Sequence, residues 1–509
     1  MTKILPKISR LRSGLILPFI LIPLSFIIIA SVAWISLNIS NINQVANQNI
    51  SASALSVAEA GVNYYLWHLA HDSTDYQDGT GGPGPYIHDY KDSSGNVIGQ
   101  YTLTITPPPL GSSTTTVEAV GQLTGSPQTR KIVAQLGIPS FARYAVIANE
   151  AIRFGWGTEV FGPLHSNGGI RFDGIAHDIV TSAVADYDDP DHDDIDSPEH
   201  VWHSDNNHEF GVHTHRDPPP PDPNPNWNNN FRPLEAPPNS VSDRPDVFLA
   251  GRQFPVPSVD FNGITADLAD LRTKAQIPGE GFYQDHESDA IGYRIRLRED
   301  DRFDIYKVTA TTAQCSSVDT YGITTEEEVS LNHSFPTNGI IFVEDQLWVE
   351  GKIDTAQLTI VAAKIGGTPE EKSIIVNNDI EYTNDDGSDK IGLIAQKDIS
   401  IGLYSEDDLH IDSALLAQKG RIGRYSYKKS CNSTYWQRNQ IIVNGSLGTA
   451  KRYGFRTVCG DTWTRNDPAG CDNGYENREL LFDENLTITP PPSFPTTGSF
   501  TILTWKEKD

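Results

Sequence analysis

The sequence predicts a mainly β protein with one N-terminal α-helix, in which a small α+β unit is followed by a right-handed β-helix-like solenoid. Three observations predict this class. A stretch without charged residues runs from Arg12 to Glu59, long enough for one continuous helix. Alternating apolar and polar residues follow it, which is typical of half-buried strands. Beyond residue 140, short apolar runs recur between polar corners, as they do in stacked repeats.

The apolar half of this stretch, residues 15–37, predicts a transmembrane helix. At about 1.5 Å per residue it covers roughly 35 Å, enough for a hydrocarbon core of about 30 Å. Four cations precede it and no Lys or Arg follows until Lys91. The positive-inside rule therefore predicts a cytoplasmic leader over residues 1–14, with the bulk of the chain on the cell surface. The alternative, a cleaved secretory signal, has a shorter apolar core.

The helix is predicted to continue beyond the membrane as a stalk, which with a small sheet forms a unit over residues 38–139. Apolar residues recur here at spacings of three and four, which predicts one packed helix face: Ala54, Ala58, Val62, Tyr65 and Leu69. Residues 100–106, 115–120 and 131–136 are predicted as antiparallel strands because apolar and polar residues alternate and turn residues separate them.

Two motifs in this region point to a family. A short basic leader ends in Arg12-Ser13-Gly14 before the apolar helix, and an Ala58-Glu59-Ala60-Gly61 motif follows an Asn-rich stretch. With the small β unit, they resemble the PilX-type N-terminal domain of type IV pilus assembly proteins, which are minor-pilin-like. The resemblance covers residues 1–140.

The resemblance implies prepilin-type cleavage between Gly14 and Leu15, and association with other pilins or pilus assembly proteins. Major pilins carry a glutamate at the fifth position after the cleavage site, where this sequence has Phe19. The motifs therefore support an anchored, pilin-like display protein more firmly than a filament subunit.

Residues 140–509 are predicted as an extracellular solenoid. Comparable polar corners recur every ~20–26 residues, within the range of stacked repeats. A β-sandwich is the alternative, since short strands and turns also occur there. A stretch rich in Asp, His, Pro and Asn, residues 186–246, is predicted as an exposed insertion. One outer helix is predicted over residues 265–276, with Thr265 as its N-cap.

Composition limits the function classes. The formal net charge is −27, which argues against nucleic-acid binding because that requires a basic surface. An acidic surface suits an extracellular protein and favours divalent cations. An even number of cysteines in an oxidising compartment predicts disulfides. Among the four, the candidates are three near the C-terminus, whose pairing the sequence leaves open: Cys431, Cys459 and Cys471.

Two groups of residues within the predicted insertion have metal-ligand character. The first contains histidines at His-x-x-His and His-x-His spacings: His200, His203, His213 and His215. The second is the acidic run over residues 188–196, a candidate for weak Ca²⁺ binding that lacks the glycine and spaced glutamate of an EF-hand. The alternative is a polar segment without a bound ion. No other cofactor is predicted.

No catalytic residue is predicted, and the protein is expected not to be an enzyme. His165-Ser166 lies outside a Gly-x-Ser-x-Gly motif and among the residues of a β corner. The leading hypothesis is a structural protein of a type IV pilus-type system that presents its solenoid for adhesion or surface interaction. The alternative is an anchored protein that binds or degrades polysaccharide. Five aromatic residues are candidates for a glycan platform, although such residues more often fill the core or the corners of a coil: Trp348, Tyr404, Tyr425, Tyr435 and Trp436.

Overall fold

The computed structural model describes residues 16–108, 114–155, 157–189, 208–216, 235–366, 370–458, 464–498 and 500–508. The chain forms two compact units. Unit 1 comprises Met1–Thr106, Thr116–Gln135 and Thr504–Asp509, and unit 2 comprises Pro107–Thr115 and Leu136–Leu503. The predicted fold class, mainly β with one long N-terminal helix and a large parallel sheet, is confirmed.

Unit 1 is built on helix α1, Ile16–His71, and an antiparallel sheet. The sheet contains β1 (Tyr86–Lys91), β2 (Val97–Thr106), β3 (Thr115–Leu123) and β4 (Thr129–Gly137). Within the described residues, α1 is long and apolar enough, by its length and composition, to cross a membrane. Its large apolar residues from Ile20 to Val45 are exposed, so no described residue of unit 1 covers that part of the helix.

The second half of α1 packs on this sheet through the face that the sequence predicts. All five residues of that face are buried: Ala54, Ala58, Val62, Tyr65 and Leu69. Small residues permit a close approach, because a methyl group added at Gly121 of β3 would lie 2.2 Å from the Ala54 carbonyl oxygen. The small residues Ala54 and Ala58 of α1 and Gly121 of β3 therefore allow the helix and the sheet to pack closely within unit 1.

The last strand of the chain, β32 (Thr501–Lys508), joins this sheet next to β4. Arg130 of β4 pairs with Glu507 of β32, and the Thr504 hydroxyl donates to Gln135 Oε1 over 2.9 Å. Sequence reasoning assigned residues 140–509 entirely to the solenoid and missed this return. A single alternating strand carries no signal of which distant edge it will join.

Unit 2 contains the remaining strands, most of them short. Those of its first section are β5 (Val146–Ala148), β6 (Ile152–Phe154), β7 (Glu159–Phe161), β8 (Leu164–Ser166), β9 (Ile170–Phe172), β10 (Ile175–Ala176), β11 (Val180–Ser182), β12 (Asp186–Tyr187), β13 (Glu209–Phe210), β14 (Val212–His213) and β15 (Arg252–Gln253). Helix α2 spans Ile264–Ala275. Short 3₁₀ helices span Phe141–Arg143 and Glu484–Thr487.

The second section of unit 2 has longer strands. They are β16 (Phe282–Gln284), β17 (Gly292–Arg298), β18 (Arg302–Thr311), β19 (Ile323–Ser334), β20 (Ile340–Val343), β21 (Leu347–Ile353), β22 (Gln357–Ala362), β23 (Ile374–Ile375), β24 (Ile380–Tyr382), β25 (Lys390–Ala395), β26 (Ile399–Ile401), β27 (Asp408–Ala417), β28 (Ile422–Arg424), β29 (Gln437–Thr449), β30 (Arg456–Thr457) and β31 (Asn473–Phe482).

Parallel pairing between successive coils makes unit 2 a solenoid. One face runs through β16, β20, β22, β25, β27, β29, β5, β8, β11 and β15. A second runs through β17, β21, β24, β27, β29, β31, β7 and β10. This ladder excludes the β-sandwich, whose strands pair antiparallel. Each coil buries its apolar residues against the next, which forms one continuous core.

The coils do not stack in the order of the sequence. The coil that contains β5 lies directly beyond the coil that contains β29, with Val146 opposite Leu447. The Leu447 N–H donates to the Ala145 carbonyl oxygen over 3.0 Å, and the Asn149 N–H donates to the Thr449 carbonyl oxygen over 3.0 Å. Among the described strands, the chain therefore enters the stack in its middle, winds to one end at β15, and starts again at the opposite end with β16.

Two sequence-based predictions for unit 2 need correction. The outer helix α2 forms as predicted, but its N-cap is Gly263 without a side-chain hydrogen bond, not Thr265, which lies within the helix. The predicted exposed insertion is not exposed throughout its described part, because β13 and β14 are buried and β14 pairs in parallel with β9. Residues 190–207 and 217–234 of that insertion lie outside the described residues.

A disulfide joins Cys315 to Cys431 across 116 residues of sequence. The sequence predicted a bond among Cys431, Cys459 and Cys471 and left the pairing open; the structure pairs Cys431 with Cys315 instead, a cysteine that was not among the candidates. The β18–β19 hairpin brings Cys315 to the loop after β28, a contact that sequence distance conceals. Cys471 is also disulfide-bonded, and Cys459 lies outside the described residues.

Candidate metal centre

Asp189, His213 and His215 come together in the first section of unit 2. His213 ends β14, and in the parallel pairing with β9 it lies opposite Arg171. His215 follows two residues later, on the same side of an extended chain. Asp189 follows β12, which pairs antiparallel with β13 and so brings Asp189 beside the histidines.

The three side chains form a compact buried group. Asp189 Oδ2 lies 3.4 Å from His213 Nε2 and 4.0 Å from His215 Nε2. The exposed fractions of the side chains are 3% for Asp189, 0% for His213 and 4% for His215. The two imidazole rings lie 5.1 Å apart between centroids. One carboxylate oxygen and two ring nitrogens therefore face a common point inside the protein.

Charged groups around the cluster hold its strands in place. Arg171 donates from Nε to Asp173 Oδ2 over 2.8 Å, and its Nη1 lies 3.6 Å from Asp189 Oδ2. Asp173 Oδ1 accepts the backbone N–H of His215 over 2.8 Å. Glu209 accepts the backbone N–H of Asp189 over 3.2 Å. Asp173 thus joins β9 to the segment after β14, and Glu209 joins β13 to the segment after β12.

Two glycines make this packing sterically feasible. A methyl group at Gly169 would lie 1.9 Å from the ring of Tyr187, and one at Gly211 would lie 1.9 Å from the Val184 carbonyl oxygen. The Tyr187 ring lies in turn 5.5 Å from that of His213. Larger residues at either glycine would push β12 away from β9 and β14, and with it Asp189.

The structure unites parts of two predicted metal groups. His213 and His215 belong to the predicted histidine set, and Asp189 belongs to the acidic run that was predicted separately as a Ca²⁺ candidate. His200 and His203 lie outside the described residues, as do the predicted cleavage residues Gly14 and Leu15. The His-x-His spacing was a usable signal, since alternate residues of a strand share a face. Asp189 was not singled out, because only the β12–β13 pairing places it there.

A second acidic group, Asp467, Cys471 and Asp472, is a loop rather than a metal site. Asp467 accepts the backbone N–H groups of Ala469, Cys471 and Asp472 over 2.8–3.1 Å. These bonds, that from Cys471 foremost, lower the pKa of Asp467. The sulfur of Cys471 is in a disulfide and has no thiolate to offer a metal.

The His165-Ser166 pair has structural partners. Ser166 Oγ donates to the Glu150 carbonyl oxygen over 2.8 Å, so the hydroxyl bonds the neighbouring coil. His165 lies 3.0 Å from Thr181 Oγ1 and 3.1 Å from Asn167 Oδ1. Burial lowers the pKa of His165, and the hydrogen bond to Asn167 opposes that shift. These contacts match the predicted β corner, while the absence of catalysis stays a prediction.

The predicted aromatic platform is not assembled as a surface. Trp348 and Trp436 are buried, and Trp348 Nε1 donates to the Tyr321 carbonyl oxygen over 2.9 Å. Tyr435 is exposed and makes an edge contact with Tyr404. The two tryptophans fill the solenoid because an apolar ring with one polar handle is stabilised at a buried corner.

The motif helix lies at the packed part of α1. Ala58 and Gly61 are buried, while Glu59 and Ala60 are partly exposed at the edge of the face. A methyl group at Gly61 would lie 2.9 Å from Tyr101 Cδ2. Within this motif, Ala58 and Gly61 thus serve the contact between helix and sheet in unit 1.

Comparisons with known proteins leave the family open. No protein-family model matches the chain, and no curated protein matches it. Among solved structures, the chain is similar to the competence-associated pilin ComZ from Thermus thermophilus at 14% sequence identity, over 90% of this chain and 97% of that one, with a TM-score of 0.27. A likeness at this TM-score does not establish a shared fold.

Proposed function

We propose that this chain is a membrane-anchored, minor-pilin-like protein that presents the solenoid of unit 2 at the cell surface for adhesion or surface interaction. The observation that carries the proposal is α1. Its first half is apolar and exposed, and its second half packs against an antiparallel sheet through a face of small and aromatic residues.

The exposed half of α1 calls for an apolar environment. Phe26, Ile29 and Trp34 each have 65–71% of their surface exposed. Apolar surface gains about 25 cal/mol per Å² when it leaves water, so a row of such side chains is stabilised by lipid. No Asp, Glu, Lys or Arg occurs between Arg12 and Glu59 to oppose insertion. A bilayer is the environment that a single helix of this length fits.

The pilin-like part of the proposal rests on residues on both sides of the membrane segment. The leader ends at Gly14, and the Ala58-Glu59-Ala60-Gly61 motif supplies the small residues on which the sheet packs. Phe19 in place of the fifth-position glutamate removes the carboxylate that pairs with a neighbouring N-terminus in major pilins. A display role at the base or surface of a pilus-type system therefore suits the chain better than a repeating filament role. The polysaccharide-active alternative stays a prediction.

Processing of the N-terminus tests the proposal. The full chain is expressed with and without a prepilin peptidase, and its mass is measured after extraction from membranes. We expect a loss of residues 1–14 only in the presence of the peptidase, with the helix retained and the protein in the membrane fraction. The Gly14→Val variant is the matched control and should keep its full mass.

Other outcomes separate the alternatives. Release of a chain that has lost its apolar helix would identify a secretory signal and overturn the anchor. A membrane-bound chain that the peptidase never shortens would keep the anchor and overturn the pilin-like part. Recovery of the processed chain in sheared filaments would show that Phe19 does not prevent incorporation.

A further inference from the structure

We propose that Asp189, His213 and His215 bind one divalent transition-metal ion of the zinc class. The site is independent of the membrane anchor and of the pilin-like role. It lies in unit 2, where β9, β14 and the segment after β12 meet.

The spacing of the three ligand atoms suits a tetrahedral ion. Zinc lies about 2.0–2.1 Å from imidazole nitrogen and about 2.0–2.2 Å from carboxylate oxygen, so two ligands on a tetrahedron are about 3.4 Å apart. Asp189 Oδ2 lies 3.4 Å from His213 Nε2. Its distance to His215 Nε2 is 4.0 Å, within a small ring rotation of the same value. All three ligand atoms lie within 4.8 Å of one another.

His213 supplies an independent observation. Its side chain is fully buried, and neither ring nitrogen has a hydrogen-bond partner among the described residues. A neutral imidazole carries one donor and one acceptor, and a buried polar group without a partner costs roughly 1–3 kcal/mol. An ion bound at Nε2 would satisfy that nitrogen and would explain why an imidazole is retained at this buried position.

The ligand set selects the class of ion. Two imidazoles and one carboxylate are typical of zinc and other first-row transition metals, whereas Ca²⁺ and Mg²⁺ prefer oxygen ligands throughout. We therefore propose a zinc-class ion rather than Ca²⁺ at Asp189; residues 190–196 of the acidic run lie outside the described residues, and Ca²⁺ binding by that run stays a prediction. Asp173 and Glu209 lie beside the site and fix the position of two ligand residues. Asp173 accepts the backbone N–H of His215, and Glu209 accepts that of Asp189.

Bound metal would fasten the base of the predicted insertion. Asp189 is the last described residue before residues 190–207, and His213 and His215 come shortly after that stretch. One ion therefore links two segments that are separated by more than 20 positions of sequence and that are also joined by the two-residue strands β12 and β13 and by the Asp189–Glu209 hydrogen bond. We expect the ion to act as a structural clamp, because all three ligands are buried.

Metal loading of the full chain, purified in detergent without a histidine tag, tests the proposal. After chelation, the protein is titrated with Co²⁺, Zn²⁺ and Ca²⁺ as separate probes. We expect one equivalent of Co²⁺ to give the visible absorption of a tetrahedral site, Zn²⁺ to displace it, and Zn²⁺ to raise the melting temperature. Ca²⁺ should do none of these.

Three variants make the test specific. His213→Gln and Asp189→Asn should each weaken Zn²⁺ binding at least 100-fold and abolish the shift in melting temperature. His177→Gln is the matched control: this histidine of unit 2 lies 3.1 Å from a single carboxylate, Glu159, and its loss should leave binding unchanged. If His213→Gln fails to fold, the test rests on Asp189→Asn, because this substitution keeps the size of the side chain.

The proposal is overturned if the unaltered chain takes up no stoichiometric Zn²⁺ after chelation. It is also overturned if Asp189→Asn binds Zn²⁺ as tightly as the unaltered chain, because uptake would then belong to other surface groups. Neither result depends on N-terminal processing, so this proposal and the pilin-like one can fail separately.

Discussion

Replacement of Gly121 by alanine tests whether close helix–sheet contact holds unit 1 together. Gly121 lies in β3 beneath α1, where a methyl group would be 2.2 Å from the Ala54 carbonyl oxygen and 2.4 Å from the Ala58 nitrogen. Ordinary contacts between heavy atoms are about 3.5–4.0 Å, so helix and strand must separate by roughly 1 Å. Overpacking of this kind costs about 1–3 kcal/mol. Because both contacts are with backbone atoms, we expect about 3 kcal/mol.

The assay is amide hydrogen exchange of peptides from β2 and β3 in the full chain. A loss of about 3 kcal/mol corresponds to roughly a 100-fold faster exchange wherever exchange follows the equilibrium between the closed and open forms. Gly82→Ala is the matched control in unit 1, since the nearest atom to its added methyl group, Thr80 Oγ1, is 4.0 Å away. Its exchange should match that of the unaltered chain.

Gly61→Ala should accelerate amide exchange in unit 1 by less than Gly121→Ala and by more than Gly82→Ala. Its added methyl group meets the side chains of Tyr101 and Leu103 at 2.9 and 3.1 Å, and these can move more readily than backbone. Alanine also favours the helix over glycine by about 1 kcal/mol, which offsets part of the strain. Exchange in Gly121→Ala as slow as in Gly82→Ala would refute the close packing of α1 on β3.

Two further predictions concern unit 2. Cys431→Ser should lower the free energy of unfolding by about 2–4 kcal/mol, because the bond to Cys315 closes a long loop. Denaturant unfolding measures this loss, and the double variant with Cys315→Ser should lose no more stability than either single variant. Additive losses would contradict the pairing. Burial lowers the pKa of His165, so the folded protein favours the neutral imidazole. The resulting contribution to stability is fully present above pH 6.5. Stability falls as the pH decreases below that value, because the unfolded chain takes up the proton first. His165→Gln should remove this component, at most about 1.4 kcal/mol per pH unit, from the pH dependence of unfolding; an unchanged slope would contradict it.

Local sequence patterns indicated the residue types of the candidate metal site, but they did not predict that Asp189, His213 and His215 lie together. His213-x-His215 indicated one face of a strand, and the acidic run indicated ion affinity, yet Asp189 lies more than 20 residues away along the chain. Its position follows from the antiparallel pairing of β12 with β13 and from the space left by Gly169 and Gly211. Strands of two residues leave almost no periodicity to detect, so neither pairing could be predicted. The same limit applies to Cys315, whose partner is set by the long β18–β19 hairpin.

The sequence by itself determined the helix and its two halves, because hydropathy and a spacing of three and four residues act within one helix. It also determined the alternating strands of unit 1 and the repeated short strands of unit 2, since both patterns are local. Only the tertiary structure decided the order of the coils, in which Leu447 pairs with Val146, and the return of β32 to the sheet of unit 1. Coils with similar apolar faces can stack in many orders, and the choice among them depends on contacts between residues far apart in the chain.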